Sequence, residues 1–414
     1  MPDRRIAATS LAVLVGLFGP MLVLASAQTV PLTVLIALAS ALVIGGDRPL
    51  TLRVDRPVLA ATFLSFAYLL LADLWTPLGA NAERALRVGA LVAAAALFWA
   101  AAGRLNKQEK DKCINALLCG ILFALFWLAI ERLSDNWLLR QLSDKPNLDW
   151  WWGAYNRAIN VLSVVGPVAA SGVWRRNRIA GMAVGLIPLI AGMFMGASGS
   201  AVLAGAVGPV VALAGYWRPR VILGVIAVGL FAGALAGPVV LRDAVRLAPA
   251  IAFTVDHNSF SFQHRLITWH YTAERIAERP LLGWGARAAR DLPDAELDIY
   301  SYTDRIDAPW MPLIVTDNLD SADVMPLHPH NALLQARLEL GLVGTVLILV
   351  TVVLALYRAT TPPNRLANAA LLGSVAAAIT IWCLSVGLWQ SWWIASVGIV
   401  VALTRLLTGQ IGQK

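Results

Sequence analysis

Apolar runs of roughly 17–25 residues recur along most of this chain, each long enough to cross the ~30 Å hydrocarbon core of a bilayer as a helix. They fall at about 6–26, 29–46, 58–75, 85–102, 113–130, 154–173, 179–196, 199–216, 221–240, 338–357, 366–386 and 391–408. A chain that repeats this pattern folds as a bundle of membrane-spanning helices, because inside lipid every backbone polar group must be satisfied within the protein. Composition agrees. Charged residues make up 14% of the 414 residues, against about 25% in a soluble domain.

Basic residues orient the bundle. With the N-terminus inside, the cytoplasmic segments carry Arg4-Arg5, Arg48/Arg53/Arg56, Arg104/Lys107/Lys110/Lys112, Arg175-Arg176-Asn177-Arg178, Arg218/Arg220, Arg358/Arg365, and Arg405 with Lys414. The opposite short loops carry chiefly Arg132, Arg140 and Lys145. Both termini are then cytoplasmic, and a long hydrophilic stretch lies on the far face. The expected organisation is nine spans over 1–240, one large periplasmic loop with amphipathic helices over 241–330, and three spans over 331–414. Arg4-Arg5, the following apolar run and Ala25-Ser26-Ala27 resemble a secretory signal. The run is longer than the ~7–15 residues of a signal core, so it reads as an uncleaved first span.

All five histidines (His257, His264, His270, His328 and His330) lie in that hydrophilic stretch or at its end. Histidine is the side chain best suited to proton transfer near neutral pH, so this surface is where chemistry is expected. Within the stretch, Phe262, Leu266, Trp269, Ala273 and Ile276 follow helical spacing, which predicts an amphipathic helix lying on the membrane surface or over the spans. Pro280 ends it. His328-Pro329-His330-Asn331 directly precedes a new helix, and His330 is the leading base candidate, with His328 able to share or orient the proton. A structural or interfacial histidine pair is the alternative.

Positive charge supplies the second half of the argument. Arg157 sits where the sixth span enters the bilayer, where a charge is costly unless it snorkels, is paired or serves function. The segment 241–330 holds eight arginines and no lysine. The guanidinium fork suits phosphate oxygens, although the whole chain favours arginine, 28 to 5 over lysine. Asp294, Glu296 and Asp298 read as a solvated acidic surface rather than a hard-metal site, for want of a glycine-turn ligand loop. A zinc site on His328 and His330 lacks a familiar ligand spacing, and no metal or cofactor is expected. Cys113, Cys119 and Cys383 fall in or beside spans, which excludes a disulfide scaffold in the loop. Trp150-Trp151-Trp152 reads as an interfacial belt, with a stacking platform for a sugar or polyprenyl chain as the alternative. Nothing resembles a basic stripe with interleaved aromatics, so no nucleic-acid partner is expected.

Several segments together resemble the O-antigen ligase and polymerase family. They are Asn156-Arg157-Ala158, the Arg265-Leu266-Ile267-Thr268-Trp269 helix, and Arg279-Pro280-Leu281-Leu282-Gly283-Trp284-Gly285. His328-Pro329-His330-Asn331 and Glu339-Leu340-Gly341-Leu342-Val343-Gly344 complete the set. The resemblance implies an inverting, metal-independent membrane glycosyltransferase of GT-C type, most like the ligase branch. Its donor would be a glycan on undecaprenyl pyrophosphate, and its acceptor a sugar hydroxyl of lipid A–core oligosaccharide in the bacterial inner membrane. By that resemblance Arg157 and Arg265 would clamp the pyrophosphate and His330 would activate the hydroxyl, with His328 second. Asn331, Trp269 and Arg287 would be further substrate contacts. The alternatives are a polymerase, a protein O-oligosaccharyltransferase and a lipid-linked sugar transporter.

Overall fold

A computed structural model describes residues 4–24, 28–45, 55–76, 82–142, 148–247, 259–303, 305–306, 323–360 and 363–408; of 148–154 and 259–263 only the backbone is described. The Ala25–Ala27 pattern, His257 and the side chains of Trp150–Trp152 and Phe262 lie outside the described residues.

The described chain is helical. In order the helices are α1 (Arg4–Gly16), α2 (Phe18–Leu24), α3 (Thr29–Gly45), α4 (Arg56–Leu71), α5 (Ala82–Arg104), α6 (Lys107–Leu133), α7 (Trp137–Leu142) and α8 (Leu148–Trp174). There follow α9 (Arg178–Phe194), α10 (Gly199–Trp217), α11 (Pro219–Leu247), α12 (Ser259–Glu278), α13 (Ile299–Thr303), α14 (Ala332–Ala359), α15 (Arg365–Leu384) and α16 (Ser391–Leu403). Among the described residues, eight helical segments are long and apolar enough to cross a membrane, the first joining α1 to α2. Four shorter apolar helices, Thr29–Gly45, Arg56–Leu71, Arg178–Phe194 and Ser391–Leu407, coincide with the other apolar runs of the sequence. At 1.5 Å per residue, the 17 residues of α9 reach about 26 Å.

Local chemistry sets the helix ends. Asn106 and Glu109 form a reciprocal capping box at the start of α6, satisfying orphan N–H groups in a turn that carries two lysines. The Asp55 carboxylate caps α4, and Asn177 caps α9. Close crossings use glycine: a Cβ on Gly19 would stand 2.0 Å from the Gly120 carbonyl oxygen. Small residues let helices meet where lipid removes the hydrophobic drive to associate. Outward faces carry Ile179, Val210 and Val228, all exposed, as lipid-facing side chains would be.

Two helices run through the middle of the bundle. The windows of α8 and α15 are 78% and 72% buried, against 22–50% for the other six long spans. They pack on each other and share α10 as a neighbour. The candidate site residues described below sit at one end of this central pair, by Arg157 near the start of α8 and Ser385 just past α15.

Over that end lies a folded cap. The predicted amphipathic helix is α12, and its stripe residues Leu266, Trp269, Ala273 and Ile276 are buried. It does not lie on the surface with one face wet: Ile267, Thr268, Tyr271 and Thr272 on its other sides are buried too. Segment 284–302 folds over it, so α12 is the spine of a second core with Trp284, Leu292, Ile299, Tyr302, Val324 and Met325. The acidic stretch stays at the surface, with Asp291, Asp294 and Glu296 exposed; there Asp294 reaches Arg305 at 3.3 Å and Asp298 accepts the Ser301 N–H at 2.9 Å.

The cap is fastened to the bundle by a backbone clasp. α14 breaks at Gly341 (φ 63°, ψ −166°), which frees carbonyls on one side and N–H groups on the other. Trp284 and Gly285 N–H donate to the Leu338 and Glu339 carbonyls at 2.9 and 2.8 Å. Leu342 and Val343 N–H donate to the Pro280 and Leu281 carbonyls at 2.9 and 3.1 Å. Only glycine fits this contact: a Cβ on Gly341 would stand 2.2 Å from the Leu281 oxygen, and one on Gly283 (φ 73°) 2.5 Å from Gly341 N. A third strap comes from the end of α4, where Tyr68 Oη donates to the Leu340 carbonyl at 2.8 Å and Thr76 Oγ1 to the Trp284 carbonyl at 2.8 Å.

Candidate active site

The His328-Pro329-His330 segment runs between the cap and the central helices and is held from both sides. From the cap, the Trp269 indole N–H donates to the Pro329 carbonyl at 2.8 Å. Thr268 Oγ1 donates to the Val324 carbonyl at 2.8 Å. From the bundle, the turn joining α15 to α16 supplies three contacts. His330 Nδ1 meets the Ser385 carbonyl at 2.8 Å, His328 Nε2 stands 3.1 Å from Gln390 Nε2, and the His328 ring packs flat against Gly387. His330 itself adopts φ 52°, a conformation that costs a non-glycine residue about 1–3 kcal/mol and clusters at functional sites. The surrounding bonds hold it there.

These contacts give the two rings different chemistry. A carbonyl can only accept, so the neutral His330 ring carries its proton on Nδ1 and keeps the Nε2 lone pair without a hydrogen-bond partner among the described residues. His328 Nδ1 accepts the His330 backbone N–H at 3.1 Å, so the neutral ring carries its proton on Nε2, 3.1 Å from the Gln390 amide nitrogen. The rings meet edge to face with centroids 4.4 Å apart. His330 is built to take a proton; His328 is built to hold His330.

Electrostatics keeps both rings neutral. Burial pushes His330 down to about 4; the Ser385 carbonyl opposes this, and Arg265 and His264 add to it. Burial pushes His328 down to about 3, reinforced by His330, Arg290 and Arg265. Arg265 extends from α12 toward the pair. Burial alone lowers its own pKa, with no carboxylate acting to raise it. A half-buried guanidinium without a counter-ion is costly to keep and ready to receive an anion. Together these groups can take up a proton on His330 Nε2 and stabilise negative charge beside it.

The other sequence candidates distribute as follows. Arg157 lies at the same end of the central pair, half-buried, with its Nε buried and unpartnered. It makes no direct contact with the histidines; the link runs through α8 against α15, whose end carries Ser385. Its neighbour Asn156 accepts the Ser198 N–H at 2.8 Å, which fixes the α9–α10 turn above the bundle. Asn331 Oδ1 is used as the N-cap of α14, accepting Leu333 and Leu334 N–H at 3.1 Å each. Trp269 is buried and turned to Pro329. Arg287 sits at φ 68° and faces a cleft. His264 and His270 make packing bonds, to the Asp323 and Arg242 carbonyls at 2.9 and 2.7 Å. Among the described residues no three His, Cys, Asp or Glu side chains gather as a metal-binding group.

The cleft is a feature the sequence reading missed. It has a volume of about 250 Å³, and its walls include Arg87, Arg287, Arg290, His328, Glu339 and Gln390. Glu339 is fully buried and organises this wall. Its carboxylate accepts the Arg287 N–H at 2.7 Å, the Gln335 amide at 2.9 Å and the Trp389 indole N–H. Gln335 in turn accepts the Leu388 N–H at 2.7 Å. One signal could have pointed here: Arg87 is a charge inside an apolar run, the same argument that singled out Arg157. The turn Ser385–Gln390 gave none, because it reads as a short connector between spans.

Comparison with known proteins places this geometry in context. The O-antigen ligase family pattern matches residues 184–349, which span α9 to the middle of α14 and include the cap, both histidines and the clasp. A Rickettsia conorii protein named "Putative polysaccharide ligase" is 26% identical over 300 residues, covering 72% of this chain and 68% of its own. Proteins of the same name from Rickettsia felis and Rickettsia bellii are 27% identical over 300 residues and 26% over 302. Those alignments cover 71% and 72% of this chain, and 67% and 68% of the relatives.

Proposed function

We propose that this chain is a multi-pass membrane enzyme of the O-antigen ligase family, which its match to that family's pattern and to the polysaccharide-ligase relatives supports, and that it transfers a glycan from undecaprenyl pyrophosphate to a sugar hydroxyl of lipid A–core oligosaccharide. The acceptor oxygen attacks the anomeric carbon of the donor's first sugar while the bond from that carbon to the pyrophosphate oxygen breaks. Attack from the face opposite the leaving group inverts the centre. The hydroxyl proton passes to His330 Nε2, and the pyrophosphate leaves with the polyprenyl carrier. Arg265 and Arg157 bind that pyrophosphate and offset the charge that develops on it, a role of the oxyanion-hole kind. Positive charge fixed beside a low-dielectric membrane edge does this without a metal. His328, Trp269 and Ser385 are positioning residues for His330, and Asn331 sets the start of the helix that follows it.

One observation carries the reading: an imidazole with its proton on Nδ1 and no partner on Nε2 among the described residues, beside an arginine that meets no carboxylate among them. A base alone would fit many reactions. A base beside an unpaired guanidinium fits transfer from an anionic leaving group to a hydroxyl.

The topology follows the same proposal. The four shorter apolar helices join the eight long segments as spans in a GT-C-type arrangement of twelve. The basic end (Arg4, Arg104, Lys110, Arg175, Arg358) faces the cytoplasm by the positive-inside rule. Both termini are then cytoplasmic, and the histidine end opens to the periplasm of the inner membrane.

Deleting the gene and examining lipopolysaccharide tests the reaction. The expected phenotype is loss of all polymer from lipid A–core, with polymer still present on undecaprenyl pyrophosphate. Retention of single-repeat lipopolysaccharide without long chains would assign a polymerase instead. Transfer by the purified chain in chelator tests the metal-free mechanism, which complete loss of product would sink.

A further inference from the structure

α11 and α14 meet near mid-length, where Leu230, Ala234 and Leu349 are buried together. Toward the end of the bundle opposite the histidines the two helices part, and a groove of about 490 Å³ opens between them. Gly224, Ala227 and Phe231 line one side and Val353 the other, with Arg220 and Tyr357 at the mouth. Glycines mark tight crossings elsewhere in this bundle, as at Gly19. At Gly224 an added Cβ would meet nothing within 4 Å, so the small residues here leave a gap.

The dimensions of the groove match one leaflet of a bilayer. Phe231 lies eleven positions after Arg220, about 16 Å along the axis at ~1.5 Å per residue. Half of the ~30 Å hydrocarbon core is about 15 Å. A single acyl chain fits that depth, whereas a carrier of many prenyl units would overrun it. The mouth also stands at headgroup level, because Trp217 and Tyr357 are exposed there as interfacial aromatics are.

Charge at the mouth selects the headgroup. Arg218 and Arg220 are both exposed. The surrounding sequence brings them no acid: no Asp or Glu occurs between Arg178 and Asp243, or after Glu339. Neighbouring cations are engaged elsewhere. Arg358 pairs with Asp55 at 3.2 Å, and Arg365 lies over the Tyr216 and Trp217 rings at 5.8 and 5.7 Å.

We propose that this groove is a lipid site: it seats one acyl chain of an anionic phospholipid, whose phosphate is held by Arg220 and Arg218. A basic mouth over a pocket between membrane helices suits an anionic headgroup, and the guanidinium forks suit its phosphate oxygens. A zwitterionic lipid offers the same tail with less net charge. By the topology proposed above, the lipid belongs to the cytoplasmic leaflet. It fills the gap between α11, which packs on the cap helix α12, and α14, which carries the clasp. The lipid thus braces the two helices that support the cap.

The test uses the full chain purified in detergent and titrated with phosphatidylglycerol or phosphatidylcholine bearing the same chains. Bound lipid is read by native mass spectrometry and stability by Tm. The wild type should hold phosphatidylglycerol at least about tenfold more tightly, as expected for two arginines facing one anion, and its Tm should rise with that lipid. Gly224→Leu should abolish binding by filling the groove while keeping at least the wild-type Tm without lipid, since leucine is the better helix former. Arg218→Gln with Arg220→Gln should erase the preference between headgroups. Equal binding of the two lipids by the wild type, or full binding by Gly224→Leu, would overturn the proposal. So would displacement of the bound phospholipid by undecaprenyl phosphate at equal concentration, which would give the groove to a polyprenyl carrier. Lipid supplied from detergent binds whichever way the chain faces in the cell. A protein that binds as expected but faces the other way would contradict the topology and leave the lipid site standing.

Discussion

The two ends of the bundle use part of their positive charge differently. At one end that part is tied down. Arg4 bonds the Arg104 carbonyl and Glu109, Arg104 bonds the Ile44 carbonyl, and Lys110 bonds Thr408. Arg175 pairs with Asp111 and Arg358 with Asp55. At the other end Arg157 and Arg265 meet no carboxylate among the described residues, and a cleft is lined by Arg87, Arg287, Arg290 and the buried Glu339. Paired charge anchors and orients a helix bundle; a half-buried guanidinium without a counter-ion is costly to keep and ready to receive an anion.

Substitutions can break this contrast. The largest effect is expected at His330→Ala, which should lower transfer by ~10²–10⁴-fold while donor binding persists; wild-type turnover would end the general-base assignment. Next comes the clasp. Gly341→Ala places a Cβ against the Leu281 carbonyl at positive φ, and should destabilise the protein by about 2–4 kcal/mol, read as a lower Tm in detergent with loss of transfer. An unchanged Tm would mean that the cap is fastened elsewhere. His328→Ala should be milder than His330→Ala, about tenfold in kcat, because it loosens the His330 backbone without removing the base; a loss equal to His330→Ala would make the two rings a single catalytic unit. At the paired end, Arg175→Ala should change stability by no more than about 0.5 kcal/mol and leave transfer intact. A large loss of transfer there would erase the distinction between the ends.

Much of this was legible in the sequence, and the reasons differ by region. The spans were readable because apolar length is a one-dimensional property, and α12 because Leu266, Trp269, Ala273 and Ile276 keep helical register. His330 stood out by residue type and position, and Arg265 through the family resemblance; the structure brings the two side by side. What was missed depends on partners distant in sequence. That Trp269 would grip Pro329 rather than a substrate, and that Asn331 would cap α14, follow from where the cap docks. The roles of Ser385, Gly387 and Gln390 could not be read from a connector six residues long. Nor could the break at Gly341 within a continuous apolar run, since glycine in a membrane helix usually signals close packing rather than a backbone clasp.

The central claim is that His330 is a neutral base held so by burial and by the unpaired charge of Arg265. It is tested most directly by the pH dependence of kcat/KM for the donor, in the wild type and in Arg265→Gln. A base must be unprotonated to act, and His330 is pushed down to about 4. The account therefore predicts that activity persists as pH falls through the ordinary histidine value near 6.5 and declines only as it approaches the depressed value. Removing the positive neighbour should move that acidic limb to higher pH. A wild-type limb at or above the ordinary histidine value, or one that Arg265→Gln leaves in place, would contradict it.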